Sequence, residues 1–288
     1  MRPIAMAALA GTVWSAAVAS GGCGRSNTEF ELGGGDGGAG GTTPSLPPPV
    51  VRATALDIVV VVDETASSEA HRELVAASMP TLVDRLTNPP CINGLGEVVD
   101  VPASPDSPCA VGVRNFVPQT DLRLGIVSSS IGTNGPACSE AAADFDPIQR
   151  RLVRFRSERP AGGSIPSYQE QGFFVWDPTG RQTPPGETDA VAFGEAIRDA
   201  VAGTRIEGCP YPSPLETAYR LLVDPAPPSA IRAEGELPVA GEVDRDLLSI
   251  RSAFLRPDSA LLVVLVSDRD DCSLRYGEGA EGAATTKT

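Results

Sequence analysis

The stretch DIVVVVDETASS, from Asp57 to Ser68, changes abruptly from apolar to oxygen-rich residues. An unbroken run of isoleucine and valine stands between Asp57 and Asp63, and hydroxyl side chains follow at positions 65, 67 and 68. A short, continuously apolar, valine-rich run is typical of a strand that is buried on both faces of a parallel sheet. Ligands of α/β proteins bind beyond the carboxyl ends of such strands. We therefore expect a polar site beside Asp63.

Apolar runs and amphipathic segments alternate along the chain from about residue 53. The last apolar run, SALLVVLVSD at 259–268, is as apolar as the first and also ends in aspartate. This alternation predicts an α/β fold of the Rossmann-like three-layer type with a mainly parallel sheet. Residues 89–120 and 135–172 are long connections, which we interpret as surface insertions. Strands are predicted at 55–63, 121–130, 172–177 (an edge strand) and 259–268, and helices at 67–87, 189–201, 214–223 and 245–255.

The N-terminal segment has the features of an export signal. One arginine precedes a small and apolar run at 3–19, which is short for a membrane span, and the small residues before Cys23 resemble the lipobox of bacterial lipoproteins. The resemblance implies that residues 1–22 are removed and that Cys23 carries a lipid. Ordinary secretion with a free or paired Cys23 thiol is the alternative. The Gly- and Pro-rich residues 23–52 then form a disordered tether, so we expect a lipid-anchored protein of the outer membrane or periplasm.

The net charge of the chain limits the classes of partner that we expect, and its cysteines indicate the redox state of its cellular compartment. The net charge of −14 argues against nucleic acid and anionic membrane surfaces as partners, since both would repel the chain. Export implies an oxidising compartment, in which disulfides are the default state of cysteine. Cys91 and Cys109 bracket a segment rich in proline, glycine and aspartate that a disulfide between them would close. Cys138, Cys209 and Cys272 are further candidates, but three cysteines cannot all pair with one another.

Three separated stretches supply the candidate site residues. Asp63, Thr65 and Ser67 form the pattern D-x-T-x-S after the first strand, Ser213 opens a predicted helix in SPLETAYR, and Asp268 ends the last strand. Carboxylate and hydroxyl oxygens are hard donors, which suit Mg²⁺, Ca²⁺ or Mn²⁺ rather than zinc. The pattern thus predicts a divalent-cation site, although strand-end aspartates also serve as ordinary helix caps in α/β proteins.

These three stretches, in this order, resemble the von Willebrand factor type A (VWA) family and its metal-ion-dependent adhesion site (MIDAS). DETAS is similar to the family's D-x-S-x-S with Thr65 in place of the first serine, and VVLVSDRDD is similar to its strand ending in T-D-G, with Arg269 where glycine is common. The chain also resembles VWA-type lipoproteins of myxobacteria. The resemblance spans residues 53–272 and implies hydroxyl ligands at Thr65, Ser67 and Ser213, with Asp63 and Asp268 acting directly or through water.

The resemblance also implies a binding partner, and the chain departs from the family's pattern at its C-terminal end. The open position of the metal would accept an acidic group from a protein ligand. The family's sheet continues past the last strand seen here, whereas residues 273–288 have little apolar content and are predicted to be a disordered tail. We therefore expect either a truncated domain or a smaller sheet with an exposed edge strand.

Three functions remain as hypotheses at this point. The first is a cell-envelope lipoprotein that binds a protein ligand through a divalent metal ion. The alternative is a structural or assembly lipoprotein with the same fold and no metal. A metal-dependent hydrolase is disfavoured because His71 is the only histidine in the chain and no acid–base pair can be assembled around it. We therefore expect that the protein is not an enzyme.

Overall fold

The computed structural model describes residues 55–131, 153–204, 212–234 and 237–271. The predictions for the export signal, the tether and the C-terminal tail lie outside these residues, as do those for Cys23, Cys138, Cys209 and Cys272. Within the described residues, no helix combines the length and the apolar character needed to cross a membrane.

The described elements follow one another as strands and helices in the predicted alternation. The predicted helices are confirmed to within two residues at each end, and all predicted strands are present. In chain order the elements are β1 (Leu56–Val62), α1 (Glu69–Thr87), β2 (Cys91–Ile92), β3 (Val98–Asp100), β4 (Val113–Arg114), β5 (Leu122–Ser128), β6 (Phe174–Trp176), α2 (Ala190–Ala202), α3 (Pro214–Leu222), β7 (Ile231–Glu234), β8 (Leu237–Ala240), α4 (Arg245–Phe254) and β9 (Ala260–Val266).

The main sheet has four strands in the order β6-β5-β1-β9. β1 pairs in parallel with both β5 and β9, so that Val62 lies opposite Ser128 on one side and Val266 on the other. β6 pairs antiparallel to β5 and forms one edge, as predicted. The α/β fold with a mainly parallel sheet is thus confirmed. Because the three parallel strands end in register, the residues that follow them meet at one edge of the sheet.

Helices cover both faces of the sheet. α1 and α2 contribute Met79, Val83, Phe193 and Ile197 to the core on one face. α3 and α4 contribute Leu221, Leu247 and Phe254 to the core on the other face. The alternating side chains of β1 divide between the two cores, which explains why the whole strand is apolar. α1 continues through Pro80 to Thr87 without a break.

The connection between α1 and β5 forms a small lobe, which we define as residues 89–120. β2 pairs with β3 and β4 to form a three-stranded sheet, and a disulfide joins Cys91 to Cys109, as predicted. Arg114 holds the lobe from within, because its guanidinium donates hydrogen bonds to the carbonyls of Ser104 at 2.6 Å and Ser107 at 2.8 Å. The lobe is thereby closed by its own covalent and polar contacts.

The second predicted insertion does not lie wholly on the surface. In its described part, Val153, Phe155 and Ile165 are buried in the core. The ring of Phe155 packs on Phe254 of α4 with a centroid separation of 4.7 Å. Val153 and Phe155 therefore add to the core on the α3–α4 face of the sheet, whereas Ile165 joins the core on the α1–α2 face.

A buried ion pair closes the amino end of the sheet. Asp57 is 0% exposed, and its carboxylate accepts hydrogen bonds from Arg256 Nη2 at 2.6 Å and Nε at 2.9 Å. The backbone N–H of Arg256 and the hydroxyl of Ser259 also donate to this carboxylate. The pair joins β1 to the segment that leads into β9. A buried carboxylate is tolerated here because its oxygens are fully hydrogen-bonded.

We expect Arg256→Ala to lower the free energy of unfolding by about 3–5 kcal/mol, because it leaves the Asp57 carboxylate buried without its counter-charge. Urea unfolding followed by circular dichroism measures this loss. The control is Arg198→Ala, which removes a solvent-exposed arginine paired with Asp199 at 2.8 Å and should cost far less. Equal losses in the two variants would contradict the structural role of the buried pair.

The loop after β6 is organised around the carboxylate of Asp177. This side chain is buried and accepts backbone hydrogen bonds from Gln182 at 2.8 Å, Arg181 at 3.1 Å and Gly186 at 3.4 Å. Burial raises the pKa of Asp177, but these hydrogen bonds and one from Thr179 lower it by more, so the pKa lies below its ordinary value of 3.8.

Asp177→Asn should lower the free energy of unfolding by about 1–2 kcal/mol at pH 7, because the amide replaces one of the accepting oxygens. The folded-state pKa of Asp177 lies below the unfolded-state value, so its stabilisation is complete above the unfolded-state pKa and is lost as the pH falls through the folded-state pKa. In urea titrations the difference between variant and wild type should therefore stay constant from pH 7 to about pH 5 and shrink as the pH falls below the ordinary pKa of 3.8. The exposed Asp258→Asn is the control, and a difference that is independent of pH would contradict the prediction.

Candidate functional site

Asp63 stands where β1 ends and is held between the backbones of two strands. Its backbone N–H donates to the carbonyl of Val266 in β9 at 2.9 Å. One carboxylate oxygen accepts from the N–H of Thr65 at 2.8 Å, and the other accepts from the hydroxyl of Ser267 at 2.7 Å. The side chain is 1% exposed. Both oxygens of this aspartate are thus oriented by neighbours before any ligand is considered.

The hydroxyl residues after Asp63 lie in a single 3₁₀ turn, Ala66–Ser68, that leads into α1. The hydroxyl oxygen of Thr65 is 3.3 Å from that of Ser67 and 3.4 Å from that of Ser68. Ser68 occupies the N-cap position of α1, but its side chain makes no capping hydrogen bond. Instead its hydroxyl donates to the carboxylate of Asp268. The turn therefore directs its hydroxyl groups towards β9 rather than towards the helix.

Asp268 follows β9 and connects the two distant stretches. Its Oδ1 accepts from the hydroxyl of Ser67 at 3.2 Å across a sequence separation of 201 residues, and from Ser68 as well. Burial raises the pKa of Asp268, but the hydrogen bonds from Ser68 and Ser67 and the positive charge of Arg269 lower it by more. The pKa lies below the ordinary value of 3.8, so this carboxylate is ionised at neutral pH.

Ser213 is held near the site by the backbone of the residue that follows β5. It is buried before α3, and its N–H donates to the carbonyl of Ser129 at 2.9 Å, while the N–H of Ser129 donates to the carbonyl of Val62 at 2.9 Å. A second contact fixes the start of α3, since the carboxylate of Asp271 accepts from the N–H of Leu215 at 2.8 Å. Ser213 is therefore at the same edge of the sheet as Asp63.

The structure brings four of the predicted residues together by hydrogen bonds and leaves the fifth adjacent. Hydrogen bonds join these four residues directly or through one neighbouring hydroxyl group: Asp63, Thr65, Ser67 and Asp268. Among the described residues, no hydrogen bond links Ser213 directly to these four. Its position is set by the backbone contacts to Ser129.

Sequence reasoning missed three residues that shape the site. Ser68 and Ser267 bind the two aspartates, and each stands directly beside a residue that the pattern had selected. Arg269 donates from Nε to the hydroxyl of Ser67 at 3.0 Å. Its presence where the VWA pattern has glycine was the one available signal that a positive charge would lie here. A guanidinium thus contacts one of the candidate ligands.

The donor set fits a hard dication that relies on hydroxyl oxygens. Carboxylates from Asp63 and Asp268 and hydroxyls from Thr65 and Ser67 are the donors that Mg²⁺ and Mn²⁺ prefer. The hydroxyl of Ser129, at the same edge, is buried without a hydrogen-bond partner among the described residues. In the same part of the chain, no group of three or more His, Cys, Asp or Glu side chains is arranged to hold a metal. The four donors named above include no thiolate or imidazole, the ligands that zinc most often has in proteins.

The fold and these oxygens define an α/β protein with a polar site at the carboxyl edge of a mainly parallel sheet. No protein family model, curated protein or solved structure matches the chain.

Proposed function

We propose that the protein is a VWA-type binding module that recognises an acidic group of a partner protein through a divalent cation. The observation that carries the proposal is the hydrogen bond from Ser67 to Asp268, because it joins the first and last predicted motifs across 201 residues. Cation-binding oxygens from distant stretches must converge in this way if they are to act as one site.

Five residues would hold the cation: Asp63, Thr65, Ser67, Ser213 and Asp268. The bound cation, Mg²⁺ or alternatively Ca²⁺ or Mn²⁺, would supply an exposed positive charge for the partner's carboxylate. The chain's own contribution is to hold these oxygens in place before binding. Thr65 N–H and the hydroxyl of Ser267 orient Asp63. Ser67 and Ser68 hold Asp268 in its ionised form.

We place the protein among binding proteins rather than enzymes. The carboxylates at the site are engaged in orienting hydrogen bonds and would serve as ligands, which leaves them unsuited to shuttling protons. His71, the only histidine in the chain, is exposed on α1. Catalysis would need an acid or base that these residues do not offer.

Export and lipid anchoring complete the proposal. The N-terminal resemblance to lipoproteins favours an envelope location with Cys23 as the lipid-bearing residue, and the disulfide between Cys91 and Cys109 supports an oxidising compartment. The negative net charge of −14 favours partners other than nucleic acid.

A metal-independent structural or assembly lipoprotein is the second candidate, and one observation favours it. Arg269 already provides positive charge beside Ser67, and Ser67 and Ser68 already satisfy Asp268. A site whose oxygens are neutralised internally can persist as structure without a cation. The two candidates therefore differ in whether a dication displaces these contacts.

Isothermal calorimetry of the full chain with Mg²⁺, Mn²⁺ and Ca²⁺ separates the two candidates. We expect saturable binding to the wild type that is lost in Asp63→Ala, because the variant removes an oriented carboxylate from the donor set. Asp258→Ala removes an exposed carboxylate away from the site and should retain binding. Wild type without binding would favour the structural candidate, and equal binding to both variants would indicate a different cation site.

Replacing Arg269 tests whether its charge opposes the cation. A single positive charge at contact distance repels a dication by about 1–2 kcal/mol in water. Arg269→Ala should therefore lower the Kd for Mn²⁺ by about tenfold. Arg245→Ala, which removes an exposed arginine of α4, should leave the Kd unchanged. An unchanged or higher Kd in Arg269→Ala would show that the guanidinium does not oppose the cation.

A further inference from the structure

A serine flanks Asp63 on each side at the carboxyl edge of the sheet. The N–H of Ser129 donates to the carbonyl of Val62 at 2.9 Å, so the pairing of β5 with β1 continues one residue past the end of β5. The N–H of Asp63 donates to the carbonyl of Val266 at 2.9 Å, so the pairing of β1 with β9 continues one residue past the end of β1. In this register Ser129 is the neighbour of Asp63 on the β5 side, and Ser267 is its neighbour on the β9 side.

The alternation of side chains places Asp63 and Ser129 on the same face of the sheet. Side chains point to opposite faces in turn along a strand. Val61 of β1 and Val127 of β5 belong to the core on the α3–α4 face. Two residues further along each strand direction, Asp63 and Ser129 therefore also point to that face. Neighbouring strands lie about 4.8 Å apart, so these two side chains are close enough to contact one ligand.

The two serines beside Asp63 differ in how their hydroxyl groups are used. The hydroxyl of Ser267 donates to a carboxylate oxygen of Asp63 at 2.7 Å. Ser129 is 0% exposed, and its hydroxyl has no hydrogen-bond partner among the described residues. A buried hydroxyl without a partner costs free energy, and such a group in a folded protein points to a water or an ion that satisfies it.

The backbone of Ser129 lies between two of the stretches that carry candidate ligands. Its N–H is bonded to Val62, which directly precedes Asp63, and its carbonyl accepts from the N–H of Ser213 at 2.9 Å. Ser129 therefore has a fixed place between Asp63 and Ser213, two of the residues proposed to hold the cation.

We propose that the hydroxyl of Ser129 is a further oxygen ligand of the divalent cation. This inference rests on the proposed function, because it requires a cation at this edge of the sheet. A serine hydroxyl is a hard donor of the kind that Mg²⁺ and Mn²⁺ prefer. The cation would satisfy the buried hydroxyl, and the hydroxyl would add a ligand on the side of Asp63 that faces away from Ser267. Ser129 lies outside the three stretches that the sequence pattern selected.

A second buried hydroxyl without a partner among the described residues belongs to Thr217 of α3. The N–H of Thr217 donates to the carbonyl of Ser213 at 2.9 Å, so Thr217 lies one helical turn, about 5.4 Å along the axis, beyond Ser213. α3 runs from Ser213 at this edge to Leu221 in the core. Thr217 is therefore deeper in the protein than the candidate ligands, and it provides a control for the removal of a buried hydroxyl.

Isothermal calorimetry of the full chain with Mn²⁺ tests the proposal. Ser129→Ala should raise the Kd by about 10–100-fold, the range that the loss of a group around a metal commonly produces. Ser128→Ala is the matched control, because it removes the preceding serine hydroxyl, which accepts from the N–H of Ser130 at 3.0 Å. Ser128→Ala and Thr217→Val should both leave the Kd unchanged.

Urea unfolding in the presence of EDTA supplies a readout that does not depend on cation binding. Ser129→Ala should have the same urea midpoint as the wild type or a higher one, because it removes a buried hydroxyl that has no partner. Ser128→Ala should have a lower midpoint, because it removes the hydrogen bond to Ser130. Added Mn²⁺ should raise the midpoint of the wild type more than that of Ser129→Ala.

Three results would overturn the proposal, and they can be told apart. A wild type that does not bind Mn²⁺ would overturn the proposed function and this inference together. Wild-type affinity in Ser129→Ala would overturn the inference alone, and a lower midpoint of this variant in EDTA would then show that the hydroxyl binds an internal water. An equal loss of affinity in Ser128→Ala would show that packing at the sheet edge, and not a ligand, is responsible.

Ser129→Cys tests whether this side chain contacts the cation directly. A thiolate is a soft ligand that favours Zn²⁺ over Mn²⁺. This variant should therefore bind Zn²⁺ with a lower Kd and Mn²⁺ with a higher Kd than the wild type, whereas Ser128→Cys should change neither. An unchanged preference in Ser129→Cys would show that residue 129 does not touch the cation.

Discussion

The hydrogen bonding of β1 on both of its edges is the constraint on which the remaining structure depends. A strand paired in parallel with β5 and β9 must be covered on both faces, and the helices α1–α4 supply that cover. The same pairing aligns Val62 with Ser128 and Val266. The polar residues that follow the three strands are therefore brought to one edge by backbone register alone, before any side chain contributes.

Much of this could be predicted from residue patterns, and the exceptions have physical reasons. Continuous apolar runs and helical spacing located the main strands and helices, because burial on both faces leaves a distinctive pattern. Of the short strands only β6 was predicted; β2, β3, β4, β7 and β8 were missed because strands of two to four residues rarely show a recognisable periodicity. The pairing of Asp57 with Arg256 joins residues 199 apart in the sequence, and no local pattern encodes such a contact.

The candidate site, like the fold, could be predicted from the sequence only in part. The order of Asp63, Thr65 and Ser67 after the strand could be recognised in the sequence. The sequence did not show whether the hydroxyl of Ser68 would cap α1 or contact the residues after β9. In the structure this hydroxyl donates to the ionised carboxylate of Asp268, a strong acceptor, and accepts no capping hydrogen bond from the N–H groups of α1. Arg269 adds a positive charge to the site. Its guanidinium competes with a cation for the surrounding oxygens. The same residues can thus serve an occupied cation site or a self-contained polar cluster.

The lobe between α1 and β5 has a consequence for how the protein responds to its redox surroundings. Its disulfide lies within the lobe itself, whereas Arg114 donates both to carbonyls of the lobe and, at 2.8 Å, to the side chain of Asn88 at the end of α1. The lobe is also attached to the rest of the fold, because Asn88 donates to the carbonyl of Pro102 at 2.9 Å and Trp176 of β6 donates to the carbonyl of Gln119 at 3.2 Å. Reduction of the disulfide would therefore open the covalent closure of the lobe, while the hydrogen bonds that attach the lobe to α1 and β6 contain no sulfur and would not be cleaved by it.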